Sequence, residues 1–190
     1  MILLDPDLEP DPTPDANPAK RTAASILPAT PRNLRLPSKR TFARFLTEAQ
    51  AAVRLRGLVT VLLTTDAAIK DLNRRFRHKN KATDVLSFPA GEPFCGSGPD
   101  KVAGDLAISV PTARRQAIDQ GHSLSTEIKV LILHGTLHLA GYDHEADEGQ
   151  MARRERLLRA RLGLPQGLIE RAATPKPAPK RAPAKRGKRP

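Results

Sequence analysis

Residues Phe42, Phe45, Leu46, Ala49 and Val53 follow the i, i+3, i+4, i+7, i+11 spacing of one helical face. That spacing predicts an amphipathic helix, with Ser38 or Thr41 as its cap and Gly57 as its end. The rhythm then changes. Leu58-Val59-Thr60-Val61-Leu62-Leu63-Thr64 is short, apolar and partly β-branched, which predicts a strand. A second helix follows, capped by Thr65 or Asp66, with Ile69, Leu72 and Phe76 inward and Lys70, Arg74 and Arg75 outward. Val85-Leu86-Ser87-Phe88 reads as a strand stopped by Pro89, and the Gly/Pro-rich stretch 90–100 as a loop. Residues 102–110 hold a third strand around Leu106-Ala107-Ile108, and Pro111 is placed to open another helix.

Beyond Ser123 or Ser125 the pattern loses its polar face. Ile128, Val130, Leu131, Ile132, Leu133 and Leu137 are apolar nearly all round, so this helix belongs in the interior. A last helix, about 148–162, carries Met151, Leu158 and Leu162 and stops at Gly163-Leu164-Pro165. Strands and helices mix without strict βαβ alternation. The expectation is a single α+β domain: a small mixed sheet packed with helices around one buried helix.

Charge sets the domain limits. Residues 1–19 hold five acids, five prolines and no base; residues 172–190 hold seven bases, five prolines and no acid. Neither end has the apolar content to form a core. The expected organisation is a disordered N-terminal extension over 1–35, acidic and proline-rich and then basic, a folded domain over 36–171, and a disordered basic tail over 172–190. Setting aside the five acids and the seven bases takes the net charge only from +12 to +10, so the folded part is itself basic. A basic domain suits a polyanionic partner, although six aromatics and no Trp argue against a surface of many stacked bases. One cysteine, Cys95, excludes an intramolecular disulfide and a thiolate zinc cage and fits a reducing compartment. The start of the chain does not read as a secretory signal, and no apolar run reaches the roughly 18–20 residues of a membrane span. A soluble, cytoplasmic protein is expected.

Three of the five histidines fall within eleven residues, in His134-Gly135-Thr136-Leu137-His138-Leu139-Ala140-Gly141-Tyr142-Asp143-His144. His134 and His138 are one turn apart on one helical face. Gly141 is placed to end the helix and let the chain bring His144 back toward them. Three imidazoles with an open fourth position are the layout of a catalytic zinc site, and imidazoles interrupting an apolar helix are costly without a partner. Nickel, copper or iron would also accept such ligands. Asp143 and Asp147 are candidates for a fourth ligand or for orienting a ligand ring. Histidine at 0, 4 and 10 with glycine at 7 is similar to the metzincin peptidase spacing. Those enzymes place a general-base Glu after the first histidine, where this chain has Gly135, a residue expected to leave room for a bulky group near the metal.

The histidine stretch also resembles the signature of the YbeY family of bacterial rRNA maturation endoribonucleases. Leu72-Asn73-Arg74-Arg75-Phe76-Arg77, Thr83-Asp84-Val85-Leu86-Ser87-Phe88-Pro89 and Gly104-Asp105-Leu106-Ala107-Ile108 agree, in the family's order, over about residues 58–162. The resemblance implies a zinc-dependent, single-strand-specific endoribonuclease acting at the 3′ end of small-subunit rRNA and in ribosome quality control. It implies one zinc ion on His134, His138 and His144, and a functionally important arginine at Arg77. It further implies the small ribosomal subunit as partner, with ribosomal proteins or GTPases beside it. A guanidinium fork at Arg77 suits a phosphate, and Lys79 and Lys81 are plausible RNA-backbone contacts. Asp84, Ser87 and Asp105 either border the site or serve the strands that carry them. His78 and His122 read as surface residues, and no general base stands out. Two other readings stay open: a non-enzymatic ribosome-assembly factor with a structural zinc, and a zinc hydrolase of peptides or amides.

Overall fold

The computed structural model of the chain describes residues 1–8, 34–91, 101–143 and 147–166. Helix α1 (Lys39–Val53) starts where the Ser38 side chain accepts the Thr41 backbone N–H, and the five residues expected on its inner face are all buried. It ends before Gly57: Arg54 takes a left-handed conformation and sends its N–H back to Ala51 and Gln50. Strand β2 (Leu58–Thr64) leads through the Thr65 cap into α2 (Asp66–Arg77), and β3 (Val85–Pro89) and β4 (Val102–Ser109) follow. Ser109 caps α3 (Val110–Gln120), with Pro111 in its first turn. Ser123 caps α4 (Leu124–Leu139), and α5 (Gln150–Arg161) closes the described fold.

The chain also begins with structure. Ile2–Leu4 form β1, paired parallel to β2 from Ile2↔Val61 to Leu4↔Leu63. The Val61 N–H donates to the Met1 carbonyl at 2.8 Å and the Asp5 N–H to the Leu63 carbonyl at 2.9 Å. Ile2 is buried, and the Thr64 hydroxyl donates to the Asp5 carboxylate. The expected disordered extension over 1–35 therefore needs correcting for its first residues. Four apolar residues precede the acids and prolines, and the margin of β2 supplies the ladder they need. Residues 9–33, which hold most of that extension, and 167–190, which hold the end of the expected domain and the basic tail, lie outside the described residues.

The sheet runs β1-β2-β4-β3, with β1, β2 and β4 parallel and β3 antiparallel to β4. Val59, Val61, Leu63, Leu106 and Ile108 share one core with α1 and α4, whereas Leu86 and Ala107 pack with Ile69 of α2. The fold is α+β, with α4 buried nearly all round as its composition predicts.

Two glycines let the layers close. A Cβ on Gly135 would lie 2.7 Å from Leu106 Cδ2 and 3.2 Å from Ser87 Oγ, so α4 presses on β3 and β4 there. Gly104, at φ +145°, would meet the Phe88 carbonyl at 2.4 Å and Leu139 Cδ2 at 2.8 Å. The space expected beside the metal at Gly135 is thus taken by the sheet.

Phe76 also departs from the expected pattern. It falls on the inward spacing of α2, yet it is 59% exposed, because the last turn of α2 stands clear of the core and its ring meets only the edge of Phe88.

Candidate metal centre

The last two turns of α4 carry the histidine pair. His134 is 8% exposed and His138 half-buried, and their Nε2 atoms stand 3.2 Å apart with the rings at 74°. Nitrogens about 2.0–2.1 Å from a tetrahedral zinc are roughly 3.3–3.4 Å from each other, so this separation fits two ligands of one ion. The other nitrogen of the buried ring supports the same geometry. His134 Nδ1 lies 3.0 Å from Glu155 Oε2 of α5, and a proton held there leaves the Nε2 lone pair free.

Glu155 is almost wholly buried and pairs through Oε1 with Arg159, which is 1% exposed. Burial works against the charge on Glu155, but the interactions with the His134 ring and the Arg159 guanidinium outweigh it and hold its carboxyl below the usual range. Arg159 Nη1 also donates to the Pro165 carbonyl at 2.9 Å. The relay Arg159–Glu155–His134 was not foreseen from the sequence. A signal was present: Met151, Glu155, Leu158 and Arg159 fall at i, i+4, i+7 and i+8, so two charged residues lie on the buried stripe of α5.

Gly141 ends α4 at φ +89°, and the Tyr142 N–H returns to the Leu137 carbonyl at 3.1 Å, as the expected turn requires. His144 lies outside the described residues. Among the described residues no group of three or more His, Cys, Asp or Glu side chains gathers to hold a metal. Asp147 is occupied otherwise: its two oxygens accept the Gly149 and Met151 N–H groups at 2.9 and 2.7 Å and start α5.

Across β3 lies the basic end of α2. Asp71 engages Arg74 at 2.5 Å and Arg75 at 3.7 Å, whereas exposed Arg77, Lys79 and Lys81 pair with no carboxylate among the described residues. Buried Asn73 shapes this loop, donating to the Lys81 carbonyl at 2.7 Å and accepting the Lys79 N–H at its own carbonyl. Asp84 serves its strand, accepting from Val85 N–H, Thr83 and Gln116. Ser87 abuts Gly135, and Asp105 is exposed on β4. His78 is exposed at the C-cap of α2. His122 is not the surface residue expected: it is half-buried against the fully buried carboxylate of Glu127, five residues on, whose burial demands a partner. Cys95 lies outside the described residues. Among the described residues no helix is long and apolar enough to cross a membrane.

Fold and site together define a single-domain α+β protein that displays an oriented imidazole pair from a buried helix. The family model described as Endoribonuclease YbeY matches residues 31–163. A curated Endoribonuclease YbeY of Koribacter versatilis is 51% identical over 149 residues, covering 78% of this chain and 92% of that protein. Another, from Solibacter usitatus, is 50% identical over 141 residues, covering 74% and 88%. A solution structure of TM1509 from Thermotoga maritima is also similar, at 22% identity and a TM-score of 0.47, covering 77% of this chain and 97% of that one. The chain belongs to the endoribonuclease YbeY family.

Proposed function

We propose that this protein is a zinc-dependent endoribonuclease that cuts single-stranded RNA, with the 3′ end of small-subunit rRNA as its substrate. Ribosome quality control in the cytoplasm is its setting, beside ribosomal proteins or GTPases. The observation that carries the reading is the 3.2 Å approach of the His134 and His138 Nε2 atoms, with His134 steered from behind by Glu155. His134, His138 and His144 hold one ion. Bound there, zinc supplies a Lewis acid for a phosphoryl oxygen or for water.

The chain's own groups do the rest. Glu155 holds the proton on His134 Nδ1 and fixes the ring, and Arg159 neutralises Glu155. Arg77 offers a planar fork to the phosphate and to the charge that builds on it during cleavage. Lys79 and Lys81 attract neighbouring phosphates. A peptidase reading fares worse, because position 135 offers no carboxylate and Leu106 fills the space one would need.

The test pairs metal analysis of the purified chain with cleavage of single-stranded and duplex RNA, with and without chelator. One zinc per chain and chelator-sensitive cutting of the single strand are expected, and His138→Ala should lose both. A His138→Ala protein that cuts as well as the parent overturns the reading. RNA binding without cutting in either metal state would favour an assembly factor.

A further inference from the structure

The chain has five Phe, one Tyr and no Trp, so an aromatic ring left in water stands out. Phe76 is 59% exposed in the last turn of α2, beside Arg77. Phe88 of β3 meets it edge to face, with ring centres 5.2 Å apart at 72°, and the Arg75 guanidinium lies 5.8 Å from the Phe76 ring centre. An aromatic ring with a guanidinium over it, followed in the chain by Arg77, Lys79 and Lys81, which pair with no carboxylate among the described residues, has what a nucleobase and its phosphate require together. Packing does not account for the exposure, since Ile69 and Leu86 already fill the core beneath.

The placement relative to the histidines is specific. Ser87 touches Gly135, the neighbour of His134, and Phe88 follows on the opposite face of β3, an edge strand. The two faces of β3 thus border α4 at the residue after His134 on one side and the rings on the other. Phe88 also stands opposite Asp105 in the β3–β4 register. Asp105 is exposed, and its carboxylate has no partner among the described residues. Paired positions share a face about 5 Å apart, so the carboxylate borders the rings. A carboxylate accepts from exocyclic amino groups and is repelled by a carbonyl edge.

We infer that Phe76 and Phe88 form a stacking step for one unpaired nucleobase of the RNA, with Asp105 selecting a base that carries an exocyclic amino group. This deepens the proposed function and rests on it.

Phe76→Trp supplies the test, because it installs the only tryptophan of the chain. Short single-stranded oligocytidine should quench its fluorescence, and an abasic oligomer of equal length and charge should not. Phe76→Ala and Phe76→Leu in the full chain should each bind oligocytidine about tenfold or more weakly than the parent. Their zinc content should equal that of the parent. Oligocytidine should outbind oligouridine, and Asp105→Asn should erase the preference. Parental affinity in both Phe76 variants, or equal quenching by the abasic oligomer, overturns the stacking step. A preference that survives Asp105→Asn overturns the selection. If the parent binds no RNA, the proposed function fails instead.

Discussion

The last two turns of α4 and the last turn of α2 both carry residues proposed to act on RNA, and they are built in opposite ways. His134 is enclosed by protein, with a buried carboxylate behind its ring and a buried guanidinium behind that. Arg77, Lys79 and Lys81 stand in water, on a loop held by the side chain and the carbonyl of Asn73. The dry site fixes direction at the cost of stability, because each charge in it depends on the next. The wet site costs the fold little and attracts a polyanion at a distance. Substitutions in the first should therefore disturb stability and function together, and in the second function alone.

The largest expected effect is at Glu155. Glu155→Ala strands buried Arg159, and urea denaturation should show a loss of about 3–5 kcal/mol. Glu155→Gln keeps the shape, and competition with a chelator should show metal affinity roughly 10–100-fold weaker. A Glu155→Gln protein of parental metal affinity would break the claim that the dry site steers its imidazole. Next comes Gly135→Val, which forces a side chain against Leu106 and Ser87 and should cost about 1–3 kcal/mol.

Asp66 offers a smaller, pH-dependent effect. Partial burial opposes its charge, but hydrogen bonds from Ser109, Thr112 and Arg115 and the Arg115 charge outweigh it and hold the carboxyl below its ordinary 3.8. A carboxyl lowered by folding stabilises the protein fully above its ordinary value and ceases to do so as pH falls through the folded one. The advantage of the parent over Asp66→Asn, measured by thermal melts, should therefore be present at pH 7 and shrink below about pH 4. The smallest change in stability belongs to Arg77→Ala, within about 0.5 kcal/mol of the parent. Its RNA cleavage should nonetheless fall about a hundredfold in kcat/KM. A destabilised Arg77→Ala protein with intact cleavage would erase the contrast between the two sites.

What the sequence reveals follows the same division. The inner face of α1, the immersion of α4 and the caps of three helices, each narrowed to two residues of which Ser38, Thr65 and Ser123 serve, are legible, because periodicity and capping are local. β1 was not, since three residues before a proline-rich stretch carry no period and become a strand only when β2 pairs with them. Phe76 misled for a related reason: helical spacing says which face a residue is on, not where the layer beneath it ends. The histidine pair stood out as polar rings in an apolar helix. Glu155 and Arg159 did not, because Arg153-Arg154-Glu155-Arg156 looks like a solvated run until the stripe from Met151 is traced through it.

Arg159 has one more role. The same guanidinium that neutralises Glu155 clasps the Pro165 carbonyl, four residues past the end of α5. The turn after α5 and the angle of a ligand ring on another helix thus belong to one circuit. A substitution that shifts the turn at Pro165 would disturb that clasp, and through it the anchor of His134.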